Sequence, residues 1–156
     1  MRLRIRRSGW FAAAPLILGS LVSSCSSSLQ IAGNQVSLPK TPRTIFLVNH
    51  SDESRGVYDS LQANLFQRGY IVTTGPDAQV PKDVDLVVRF TESWSWDMGF
   101  YLRSASVLFY SGSSGALIGT AQWKNSSLHT FPSVDKVVDE MVDATLRRIG
   151  LPLKAT

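Results

Sequence analysis

The sequence predicts an α+β domain: a single mixed sheet in the order β-α-β-β-β-β-α, with two amphipathic helices packed on one face. Three observations predict it. A strand–helix–strand pattern occupies residues 44–74, three alternating strands follow over 86–124, and a second helical stripe closes the chain at 133–149. The 156 residues fit one domain, and a composition of 44% hydrophobic and 18% charged residues supports a packed core.

The first strand is Thr44 to Asn49 (TIFLVN), a short apolar run rich in β-formers. Ser51, Asp52 and Ser54 then supply helix-starting side chains. Val57, Tyr58, Leu61, Leu65 and Phe66 follow at helical spacing, and Gly69 closes the helix. Tyr70 to Thr74 (YIVTT) is a second strand, ended by Gly75-Pro76. Strand, helix and strand within so short a span imply a crossover and a parallel pair.

From Leu86 to Trp96 the period is two. Leu86, Val88, Phe90, Trp94 and Trp96 share one face, and Val87, Arg89, Thr91, Ser93 and Ser95 the other. Asp97-Met98-Gly99 forms a turn into Tyr101 to Tyr110, where Tyr101, Ala105, Val107 and Phe109 are expected on one side. Ser111 to Gly115 (SGSSG) is a flexible turn. Leu117, Gly119, Ala121 and Trp123 then alternate with Ile118, Thr120, Gln122 and Lys124. Three strands with tight turns make an antiparallel meander. The last helix has Ser133 as N-cap, Asp135 in its first turn and Arg147 and Arg148 in its last, where the helix dipole favours each sign. Val134, Val137, Val138, Met141, Thr145 and Ile149 form its apolar stripe, and Gly150 and Pro152 stop it.

The N-terminus reads as an address and an anchor. Residues 1–8 are basic, residues 9–22 almost wholly apolar, and small residues follow. That is the layout of a secretory signal peptide. A transmembrane helix needs about 20 apolar residues, and this run is shorter and holds Pro15 and Gly19. Val22-Ser23-Ser24-Cys25 resembles the bacterial lipobox, in which the cysteine thiol accepts a diacylglycerol thioether. Cys25 is the chain's single cysteine, so an internal disulfide or a multi-cysteine zinc site is excluded. The resemblance implies cleavage before Cys25 and acylation there, with palmitate among the chains. Two or more acyl chains hold a protein stably on a bilayer. By resemblance to enterobacterial sorting, Ser26 in place of Asp favours the outer membrane over inner-membrane retention. The expected organisation is a signal peptide over 1–24, the lipidated cysteine and a flexible tether over 25–42, and a periplasmic α+β domain over 43–153.

The net charge of +4 is carried by this leader. Taking Arg2, Arg4, Arg6 and Arg7 away from the 16 basic residues leaves 12, against 12 acids. A neutral mature chain argues against a nucleic-acid partner. No phosphate-binding loop, zinc-protease helix or nucleophile elbow is present. No metal site or cofactor is expected, because the two histidines, His50 and His129, fall in different loops. His50 beside Ser51, Asp52 and Glu53 fits a solvated loop that starts a helix. The competing reading is a small envelope hydrolase or ligand-binding enzyme using His50 with Asp52, Glu53 or Asp97. Asp83, Asp85, Asp139, Glu140 and Asp143 read as solvated faces.

The unusual segment is Glu92 to Tyr101 (ESWSWDMGFY). Trp94 and Trp96 project from one face, and a core ladder under a helix is the simpler expectation. The alternative is an exposed aromatic platform in which Trp94, Trp96, Asp97 and Tyr101 contact a partner. Glu92 interrupts the apolar face and needs a partner there, with Arg103 the candidate. Ser93-Trp94-Ser95-Trp96-Asp97-Met98, with Phe100-Tyr101-Leu102 and then Gly119-Thr120-Ala121-Gln122-Trp123, resembles the signature of a family of small uncharacterised proteobacterial lipoproteins. The likeness spans about residues 44–150 and departs from the pattern in having Trp123 where the family has Tyr. It implies an envelope lipoprotein and brings no activity with it. More distantly, the element order resembles periplasmic domains of outer-membrane lipoproteins that activate or assemble other machines. The function expected is a non-catalytic binding or scaffold domain, bound to the bilayer through acylated Cys25 and offered to an envelope protein partner.

Overall fold

A computed structural model describes residues 27–33, 38, 41–49, 56–126 and 131–154. Eight principal elements follow in order: β1 (Ser28–Gly33), β2 (Thr44–Val48), α1 (Val57–Gln67), β3 (Ile71–Gly75), β4 (Leu86–Trp96), β5 (Phe100–Ser111), β6 (Leu117–Lys124) and α2 (Val134–Ile149). A short 3₁₀ turn, Asp77–Gln79, links β3 to β4. The strands form one six-stranded sheet in the order β1-β6-β5-β4-β2-β3. β2 is parallel to both β3 and β4, while β4, β5, β6 and β1 are antiparallel. The α+β class and the predicted order from β2 to α2 are those observed.

β1 is an addition to that order. Residues 28–33, expected within a flexible tether, pair along their length with β6 from Ser28↔Lys124 to Gly33↔Gly119. The reason is tertiary: Leu29 and Ile31 alternate onto the core side of β6 and pack there. Two apolar residues among small and polar ones are a weak strand signal, and β6 supplies the rest.

Both helices cover one face of the sheet. Ile45, Leu47, Leu86, Val88, Phe90, Val107 and Phe109 point into them from the strands. Val57, Leu61 and Leu65 of α1 recur every fourth residue and are fully buried. Phe66, one residue off that row, is exposed rather than part of the buried face. Gly56, in the left-handed region at φ 99°, precedes α1. Ser133 precedes α2 without a side-chain cap bond, although it was expected to cap the helix. α2 buries Val137, Val138, Met141, Val142, Thr145, Leu146 and Ile149. It lies close to the sheet at Gly119, where a Cβ would stand 2.7 Å from Ile149 Cγ2 and 2.9 Å from Thr145 Cγ2.

The two helices run parallel, as their polar contacts show. Ser60 Oγ donates to Asp135 Oδ1 at 2.7 Å, and Asn64 Nδ2 donates to Asp139 Oδ1 at 2.9 Å. Arg68 donates to Asp139 at 2.6 Å and to Asp143 at 3.1 Å. Each helix contributes one residue per turn to this ladder. Asp139 is solvated, as expected, at 62% exposure, and also bonds α1, while the more sheltered Asp143, expected on a solvated face, lies between Arg68 and Arg147. The opposite side of the sheet has a smaller cluster of Phe46, Val48, Val84 and Val87, with Val80 packed against it.

Two bulges change which residues face the core. Between Ser93 and Trp94 the register steps from Ser93↔Ser104 to Trp94↔Leu102, leaving Arg103 as the extra residue. Leu102 thus takes the helix-facing position, 1% exposed, where alternation alone put Tyr101. Between Phe109 and Tyr110 the register skips Ile118, which turns inward at 3% exposure while Leu117 turns out. A single inserted residue reverses the sides that follow it.

Candidate functional site

The described polar clusters hold the fold together. Asp85 Oδ2 accepts from Arg43 N and Thr44 N, each at 2.9 Å, and from Thr44 Oγ1 at 2.8 Å, which pins the start of β2 to β4. Arg89 pairs with Asp77 at 2.6 Å and lies 4.6 Å over the Tyr110 ring. Arg68 spans α1 and α2 and also reaches the Leu153 carbonyl at 3.3 Å. Hydrogen bonding from Arg147, with Arg68 also donating, holds the Asp143 carboxyl below its ordinary value against the opposing effect of burial. Burial raises the Tyr70 phenol, which donates to the Pro152 carbonyl at 3.1 Å. Among the described residues no group of three or more His, Cys, Asp or Glu is placed to hold a metal ion. Cys25, His50, Asp52, Glu53 and His129 lie outside the described residues.

The chemistry left over sits at the end of the β4–β5 hairpin. The two strands run past the rest of the sheet. β2 pairs with β4 only as far as Leu47↔Val88, and β6 pairs with β5 only from Ser104 onward. Past that row Asn125 still donates to the carbonyls of Arg103 and Leu102, each at 2.9 Å, and Leu102 and Tyr101 are buried, so the exposed end of the arm is its tip, from Trp96 to Phe100. Trp94 stands at its root, packed against the core, and its indole Nε1 donates to Glu92 Oε2 at 2.9 Å. That bond gives Glu92 a partner on its own strand, where Arg103 had been expected; Arg103 is the exposed bulge residue. Farther out Trp96 pairs in register with Phe100, and the two are 66% and 54% exposed. At the apex Asp97 N donates to Gly99 O at 2.9 Å, and Met98 is held at φ 56° with 94% of its surface exposed.

The other side of the arm carries Tyr101, buried at 7% exposure, with Phe131 against it edge-on at 5.7 Å between ring centres. Phe131 is itself 62% exposed and comes within 3.6 Å of where a Gly99 Cβ would stand. Of the four residues expected as partner contacts, then, Trp96 and Asp97 are presented to the outside, while Trp94 and Tyr101 support them from within. Met98, Phe100 and Phe131 join the exposed set. The core-ladder expectation holds for Trp94 and stops there, because the helices do not extend over Trp96.

No family model matches the chain, and no curated protein matches it in sequence. Solved structures do share its fold. The PelC dodecamer from Paraburkholderia phytofirmans aligns with 81% of this chain and 99% of its own, at 10% identity and a TM-score of 0.55. A point variant of that protein gives the same coverage and identity at 0.53. A minor lipoprotein from Acinetobacter baumannii, with 14% identity over 65% of this chain and 89% of its own, scores 0.34, too low for the likeness to carry weight. The fold class is thus that of a mixed-sheet domain with paired helices on one face, and PelC is a particular protein built on it.

Proposed function

We propose that the chain is a lipid-anchored envelope protein of the outer membrane, attached through acylated Cys25, whose periplasmic domain is a non-catalytic scaffold. The observation that carries this reading is the pairing of a lone lipobox cysteine with β1, which starts only three residues after it. A thiol in that place ties the folded domain closely to a bilayer. Among the described residues no helix is long and apolar enough to cross a membrane. Asp77, Asp85, Asp135, Asp139, Asp143, Arg68 and Arg89 are engaged in holding helices and strands, which suits a scaffold.

PelC shares the fold and forms a dodecamer. The same mode of use here would draw on the two sheet edges, β1 and β3, each hydrogen-bonded to one neighbouring strand. The test is mass spectrometry of the native N-terminal peptide after membrane fractionation, with the mass of the detergent-extracted particle measured alongside. The expected result is a diacylated and N-acylated Cys25 in the outer-membrane fraction, in a particle of several copies. An unmodified thiol, or a product in the soluble fraction, overturns the anchor. A single-copy particle overturns self-assembly and leaves a different envelope protein as the partner.

A further inference from the structure

The geometry points to the β4–β5 hairpin end as a second membrane contact, dipping into the lipid headgroup region beside the acyl chains of Cys25. This inference rests on the anchored reading above. Four of the seven exposed large hydrophobics among the described residues gather here: Trp96, Met98, Phe100 and Phe131. Trp96 and Phe100 lie on the helix-facing side of the arm, Phe131 lies by Tyr101 on the other, and Met98 caps the apex. Apolar side chains exposed on both sides of the arm's tip suit a medium that surrounds it. A protein partner would cover one side. Tryptophan and phenylalanine, backed by cations, are the residues that settle at a membrane interface. Arg103 and Lys124, both exposed, flank the base of the arm, where anionic headgroups would meet them.

The sheet register fixes the direction. Ser28 pairs with Lys124, and Lys124 with Ser104, so β1 begins at the end of the sheet from which the arm projects. Two residues, Ser26 and Ser27, separate Ser28 from Cys25, and the three steps between them span at most about 11 Å when fully extended. The arm runs three residues past that same row along β4, from Ser93 to Trp96, about 10 Å at strand rise, with the turn beyond it. The reach of the acylated thiol from the sheet matches that of the aromatic end, so a bilayer holding one lies within reach of the other.

Met98 strengthens the case. Its left-handed backbone suits glycine or asparagine, and its side chain is almost wholly exposed. A residue costly in both respects signals a role outside the fold.

The test uses the native lipidated protein reconstituted in phosphatidylethanolamine–phosphatidylglycerol vesicles containing lipids brominated either near the headgroup or near the chain end. The mature chain has three tryptophans, Trp94, Trp96 and Trp123. Shallow bromines should remove roughly a third of the emission, deep ones much less, as an interfacial indole requires. Trp96→Phe should abolish that quenching while leaving the circular dichroism unchanged. If Cys25 carries lipid and emission ignores both bromines, the contact is refuted and the anchor survives. If quenching is lost and Met98 crosslinks to a second copy, the occupant is that copy and the proposal falls. If Cys25 is unmodified, the anchor fails; vesicle flotation with quenching would then uphold the hairpin contact alone, and absence of both would end it.

Discussion

Replacing Arg68 by alanine removes a side chain that ties α1, α2 and the C-terminal segment together. The guanidinium side chain is 12% exposed, while Asp139 is 62% and Asp143 30% exposed. The Asp139 pair is open to solvent and screened, worth about 0.3 kcal/mol, and the more sheltered Asp143 pair is worth about 1 kcal/mol. The bonds to the Leu153 carbonyl and to Asn64 Oδ1 add about 1 kcal/mol between them. The expected loss is about 2 kcal/mol, a fall of about 6–10 °C in Tm for a domain of this size. Thermal unfolding followed by circular dichroism reads it directly. A second readout is pH. Asp143 has a folded-state pKa below its ordinary value of 3.8, so its contribution is complete above that value and is lost as pH falls through the folded pKa. Arg147 remains in Arg68→Ala, so the acid-induced loss should shrink in that variant and vanish in Asp143→Asn. A Tm drop under 2 °C in Arg68→Ala, or unchanged acid sensitivity in Asp143→Asn, would refute the reasoning.

Other substitutions probe other parts of the molecule. Asp85→Ala strands two backbone N–H donors at the start of β2 and should cost about 2–3 kcal/mol in chemical denaturation. Gly112→Ala would place a Cβ against the Val84 carbonyl oxygen, so expression of soluble protein should drop and any folded product should lose about 1–3 kcal/mol. Tyr70 has its pKa raised above 10.0 in the folded state, so stability should decline as pH rises past that value. Tyr70→Phe should flatten the decline in alkaline unfolding curves. Met98→Gly should raise Tm, because relief of the left-handed backbone outweighs the entropy of glycine by about 0.5 kcal/mol. The same variant should weaken quenching by brominated lipid.

The helices and the long strands were legible because their periods survive in the sequence. Val57, Leu61 and Leu65 announce one helix, and Leu86, Val88 and Phe90 announce one strand. What the sequence concealed has physical causes. A bulge is invisible to alternation, so Leu102 and Ile118 were assigned to the wrong sides. The partners of Ser60, Asn64 and Arg68 lie about 75 residues away, and nothing local reveals that two helices run parallel. β1 depends on a strand it meets only after folding. At the aromatic end, Trp96 and Asp97 were found because they stand in an unusual run. Phe131 meets Gly99 and Tyr101 from about 30 residues farther along the chain, a contact that no local sequence pattern signals. The exposure of Trp96 follows from how far the hairpin outreaches α2, a length that no local pattern contains.

The antiparallel ladder between β1 and β6 has a mechanical consequence. Tension pulling outward at Ser28 acts along the strand, so its six residue pairs share the load in shear instead of opening one after another. At the far end, Arg148 Nε donates to the Gly33 carbonyl at 3.1 Å, and Ile149 lies over the Gly33–Gly119 pair. A pull on the first strand would therefore be spread across the ladder and passed into α2, and the strand would resist being peeled away.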